Sequence, residues 1–129
     1  MSNDRHYYVK GGYEQMWDIT DRRFLGAEDG WETVSLWGMG IASRDLTGDG
    51  RDEVMLTSMG DQLLQIAGAN GHYTAAPYDI GSYAQRPHVG DDGRPSTGWH
   101  AEFGDIDNDG LADLFIAKGN VDQMPGMAT

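Results

Sequence analysis

The sequence contains no cysteine. That rules out disulfides, thiolate zinc sites and a cysteine nucleophile, and it leaves the compartment open. Basic residues are also few: 9 Lys and Arg stand against 21 Asp and Glu, for a formal net charge of −12. Nucleic acid and anionic lipid both require a basic face, so neither is expected as a partner. No apolar run approaches the roughly 20 residues a membrane helix needs, and no membrane insertion is expected. The opening residues, Met1-Ser2-Asn3-Asp4-Arg5-His6, carry no charged-then-apolar signal region, so secretion is not legible from this chain alone. There is no Gly-x-Ser-x-Gly elbow, no phosphate-binding Gly-Lys-Ser/Thr and no His-Glu-x-x-His.

Glycine, by contrast, is abundant. The 129 residues, enough for one ordinary domain, include 19 glycines and 39% apolar residues. Many short strands joined by Gly-rich turns produce such a composition, and long helices do not. An internal repeat explains where the turns fall. The segment from Gly40 to Thr57 aligns without a gap on the segment from His100 to Ala117. Asp45, Asp49 and Gly50 recur as Asp105, Asp109 and Gly110, and Glu53 recurs as the acid Asp113. Small or apolar residues lead into both copies, and Val54-Met55-Leu56 and Leu114-Phe115-Ile116 lead out.

The shared pattern is Asp-x-(Asp/Thr)-x-Asp-Gly-x-x-(Asp/Glu). Calcium takes 6–8 hard oxygen ligands at about 2.3–2.6 Å with loose geometry, and a tight loop with acids at alternate positions can turn them toward one centre. Glycine in sixth position tolerates the positive φ of a sharp bend. The seventh residue would offer its main-chain carbonyl, leaving its side chain free to vary. Loop two then supplies carboxylates from Asp105, Asp107, Asp109 and Asp113 and the carbonyl of Leu111. Loop one supplies Asp45, Asp49 and Glu53, a hydroxyl from Thr47 and the carbonyl of Arg51. Two calcium ions are expected, with loop two the tighter site. The alternatives are an acidic surface that serves only solubility, or an Asp-Gly turn held by side-chain hydrogen bonds alone. An EF-hand would need a bidentate Glu at position twelve and a helix after it, whereas Leu56 and Ile116 stand there within strand-like runs. A structural ion is therefore expected, not a conformational switch.

The flanks predict an all-β, antiparallel fold. Strands are expected at 39–44, 53–58, 62–67 and 72–78, with turns at Met59-Gly60-Asp61 and Asn70-Gly71, and again at 99–104 and 112–118. Four strands of this kind make one propeller blade. Leu63–Ile66 could instead open a helix, but Gly60, Gly68 and Gly71 leave it little room. The expected organisation is half blade, whole blade, half blade. Residues 1–36 form the end of a preceding blade plus a connector, with strands at 6–10 and 13–19 hinged at Gly11-Gly12. Residues 37–78 form a complete blade, 79–97 a long connector and 98–129 the start of a second blade. A closed ring needs at least about four blades, so the chain is expected to be a segment of a larger propeller.

These residues resemble the FG-GAP/VCBS repeats of integrin-α-like β-propellers. Phe103-Gly104-Asp105-Ile106-Asp107-Asn108-Asp109-Gly110-Leu111-Ala112-Asp113-Leu114 is close to that pattern, and Trp37-Gly38-Met39-Gly40-Ile41-Ala42 is similar to the phrase preceding the calcium loop in the cartilage acidic protein (ASPIC/UnbV) branch. The likeness covers roughly 37–67 and 98–125. It implies an extracellular or periplasmic, calcium-loaded propeller in which the remaining blades are partners of this segment. It implies no established catalytic activity. Thr47 in place of Asp or Asn, and Arg44 in place of a small residue, depart from the pattern and bear on loop one.

Two functions follow. One is a non-catalytic scaffold for adhesion, binding a protein or a glycan. The other is part of a propeller-type polysaccharide lyase or glycoside hydrolase, in which Asp91 and Asp92 would be the first carboxylates to suspect. The four histidines, His6, His72, His88 and His100, share no local motif, and His100 is expected beside Trp99 in the core. Trp17, Trp31, Trp37 and Trp99 are expected to be core residues, with sugar stacking as the alternative.

Overall fold

The structure, a computed structural model, describes residues 12–82 and 96–119. Among them there are eight strands in three antiparallel sheets, with three single 3-10 turns and no α-helix. Strands β1 (Trp17–Asp18) and β2 (Arg23–Phe24) pair with each other. Strands β3 (Gly38–Arg44), β4 (Glu53–Ser58), β5 (Leu63–Ala67) and β6 (Tyr73–Ala75) form a four-stranded sheet in chain order, the meander of a propeller blade. Strands β7 (Gly98–Gly104) and β8 (Asp113–Lys118) form the first hairpin of the next one. The chain is thus all-β and forms a partial, propeller-like segment.

The two long hairpins obey the same local rules. Gly38 pairs with Ser58 and Gly40 with Thr57, so Met39 is an extra residue in β3. Gly98 pairs with Lys118 and His100 with Ala117, so Trp99 is extra in β7. Such a bulge bends its strand and increases the local twist. Beyond each hairpin the same main-chain bond recurs: Met59 N–H donates to the Trp37 carbonyl, and Gly119 N–H donates to the Thr97 carbonyl.

The core lies between the two blades. Met55, Leu64, Ala76 and Ala101 are buried together, with Ala42, Leu46, Ile66, Phe103, Leu114 and Ile116 packed around them. Period-2 alternation directs Met55 and Leu64 to the same face, where β7 packs across β3. The blades meet very closely at one point. A Cβ on Gly40 would lie 2.4 Å from the Trp99 carbonyl oxygen, so only glycine fits there. The Thr57 hydroxyl donates to the same carbonyl at 3.2 Å and so ties the blades together. At the next turn the Gln62 side chain accepts from Ser58 N–H and donates to the Ser58 and Gly60 carbonyls. It fills the space that a side chain on Gly98 would need.

The N-terminal reading needs correction. Within 13–19 only Trp17–Asp18 is strand, and it pairs forward with Arg23–Phe24, inside the expected connector. The Asp18 carboxylate accepts from Thr20 and Asp21 N–H, and Arg22 takes φ 54°, so the chain reverses locally. Trp17 and Phe24 then meet edge to face at 4.9 Å. The expected strand at 6–10 lies outside the described residues. Strand β6 is also shorter than expected: after Ala75 the chain runs through Pro77, which has no N–H to donate, into a 3-10 turn at Tyr78–Ile80.

Candidate metal centre

Both loops close on their first aspartate. Asp45 accepts from the N–H groups of Gly48 (2.7 Å), Asp49 (3.2 Å) and Gly50 (2.8 Å). Asp105 accepts from Asp109 and Gly110 N–H, each at 3.0 Å. The bend is made twice, at the fourth and sixth positions. Gly48 and Gly50 take φ of 74° and 82°, and Asn108 and Gly110 take 62° and 85°. The sixth-position glycine is legible from the pattern. The fourth position was missed, although Gly or Asn, the residues most tolerant of positive φ, stands there in both copies.

In loop two the structure brings Asp105, Asp107 and Asp109 together, with one carboxylate oxygen from each lying within 4.8 Å of the others. Oxygens bound at about 2.3–2.6 Å to one ion can be no further apart than about 5 Å. Three hard oxygens at that spacing, on an exposed loop with no basic residue, suit a hard cation in both chemistry and size. This is the only such grouping of acidic or imidazole side chains among the described residues. Asp113 is not one of the three. Its Oδ2 accepts from Ile106 N–H at 2.9 Å, which fastens the start of the loop to its end.

Loop one is arranged differently. Glu53, at the position of Asp113, is fully buried, and both of its oxygens are engaged. One accepts from Leu46 N–H at 2.7 Å, as Asp113 accepts from Ile106, and the other reaches Ala67 N–H at 3.2 Å on β5. Asp49 accepts from Arg51 N–H at 2.9 Å and pairs with the Arg51 guanidinium. Thr47 is exposed and adds no charge. The hydrogen bond from Gly50, with those from Gly48, Asp49 and Thr47 behind it, holds the Asp45 carboxyl below its ordinary pKa against some desolvation.

Other candidate positions fall outside any site. His100 is exposed, with its imidazole 3.8 Å from the Glu102 carboxylate, and is not in the core. Trp31 is buried and Trp37 half-buried, but Trp17 and Trp99 are more than 40% exposed, which corrects the core assignment for those two. The Trp99 indole donates to the Gly119 carbonyl at 2.7 Å and lies along its own hairpin. His6, His88, Asp91 and Asp92 lie outside the described residues.

The FG-GAP-like repeat pattern matches residues 45–116, from the first aspartate of loop one into the strand that leaves loop two. No curated protein and no solved structure matches the chain. The match covers more than half of the sequence and both loops with the strands between them, and the chain belongs to the FG-GAP-like repeat family.

Proposed function

We propose that this segment is a non-catalytic propeller scaffold whose second loop is pinned by a structural calcium ion. The observation that carries the reading is the convergence of the Asp105, Asp107 and Asp109 carboxylates with no basic side chain among them. Left unneutralised, three carboxylates this close repel one another. Calcium would supply the neutralising charge and tie together a loop that otherwise costs conformational entropy to order. Asp105, Asp107 and Asp109 would hold it, joined by the Leu111 carbonyl and by the Asp113 oxygen not used on Ile106.

The resemblance of the Trp37–Ala42 phrase to the cartilage acidic protein branch supports an extracellular or periplasmic setting, where calcium is abundant. The remaining blades of the propeller would be neighbours of this segment, and a protein or glycan its partner in adhesion. The candidate site is an exposed loop tip, a place that shapes a surface.

Thermal melts of chelator-stripped protein test the reading. Saturating calcium, at about 100 times its dissociation constant, should stabilise the chain by roughly 2.7 kcal/mol per site. Magnesium, which demands a smaller octahedral shell, should substitute poorly. In Asp107→Asn, which keeps the acceptor for Asp109 N–H but loses a charge, the calcium effect should vanish. A melt indifferent to calcium and chelator would leave only a turn held by side-chain hydrogen bonds.

A further inference from the structure

Resting on the calcium reading of loop two, we infer that loop one takes no calcium, because Arg51 is its resident cation. The two loops share their first-aspartate cap, so Asp45 and Asp105 do not distinguish them. The difference lies at the third, fifth, seventh and ninth positions. Thr47 stands where loop two has the charged Asp107. Asp49 gives one oxygen to Arg51 N–H and the other to the Arg51 guanidinium. Its counterpart Asp109 gives one oxygen to Leu111 N–H, and the other has no partner among the described residues. Glu53 is wholly buried, with each oxygen held by a main-chain N–H, whereas Asp113 has only one such bond and is only half-buried.

A divalent ion entering loop one would meet a guanidinium that is tethered to the loop and cannot diffuse away. It would have to displace that group without help from Glu53, which could leave the Leu46 and Ala67 amides only by stranding buried N–H donors. Loop two also engages main-chain N–H groups through Asp105, but its loop is exposed and holds no guanidinium and no buried carboxylate. One repeat of the pair is therefore closed by its own side chains, and the other is left for an ion.

Calcium titration calorimetry on the stripped full chain should show one binding event, and Asp107→Asn should abolish it. The double variant Thr47→Asp/Arg51→Leu writes the loop-two residues into loop one. It should gain a second event that persists when Asp107→Asn is added. A wild-type event that survives Asp107→Asn and disappears with Asp49→Ala would overturn the inference while leaving loop two's role open. A second arm needs no calcium. In chelator, Arg51→Leu should speed amide exchange at Asp49 and Gly50 about threefold, the scale of an exposed ion pair, with Asp109 and Gly110 unchanged. Equal rates would overturn the role of Arg51. No calcium event in wild type, with the exchange effect present, would remove the calcium reading and leave the arginine closure standing.

Discussion

The hairpins β3–β4 and β7–β8 share a register, a bulge and a loop, yet every residue of β4 is buried and none of β8 is. The difference lies in what flanks them. β4 has β5 on its second edge and β7 packed nearby, and β8 has no second strand neighbour among the described residues. Local rules suffice to make a hairpin. A core needs the strands and the adjoining blade that take the hairpin out of water.

The largest expected contrast is therefore at equivalent positions of β4 and β8. Met55 is fully buried and Phe115 is 52% exposed. Met55→Ala should cost about 2–5 kcal/mol, as removal of a core side chain does, and Phe115→Ala below about 1 kcal/mol. Urea denaturation of both variants measures this, and equal losses would show that β8 is as deeply packed as β4.

The loop-closing acids come next. Glu53→Ala strands two amides, those of Leu46 and Ala67, and should cost about 3 kcal/mol. Asp113→Ala strands only Ile106 N–H, on a more exposed loop, and should cost about 1 kcal/mol in calcium-free buffer. Amide exchange at Ala67 would show whether the Glu53 loss spreads into β5.

A smaller contrast separates Gly40 from His100, which hold corresponding places. Gly40→Ala forces Trp99 and β7 away and should cost about 1–3 kcal/mol, whereas His100→Ala should fall within about 0.5 kcal/mol of wild type. If both were neutral, the blades would be free to slide apart.

Acid should produce the smallest effects. The Arg23 side-chain hydrogen bond, with Gly26 N–H, holds the Asp29 carboxyl down at about 2, from an ordinary 3.8. A depressed carboxylate contributes stability that is complete above its unfolded pKa and lost as pH falls through the folded one. The link from Arg23 on β2 to the turn at Ala27–Asp29 should thus persist to about pH 2, below the point at which ordinary carboxylates protonate. Asp45 is shifted in the same direction, so the loop-one cap should also outlast an exposed carboxylate. Carboxyl NMR titration reads both, and Asp29→Asn should remove the dependence at the first.

The repeat, both loops and the strands around them were legible in the sequence because their causes are local. An aspartate that caps amides three to five residues ahead, glycine or asparagine at a bend, and apolar alternation on each side all act within one hairpin. Tertiary structure decided the rest. The packing of β7 across β3 leaves room only for glycine at Gly40, because a side chain there would strike the Trp99 carbonyl. Glu53, which reads as a metal ligand, spends both oxygens on main-chain N–H groups because β5 lies within reach, and Arg51 turns its guanidinium back onto Asp49. Spacing shows which side chains can converge. The neighbouring strands determine which of them already have partners, because a buried carboxylate takes the nearest unsatisfied donor whatever the motif around it.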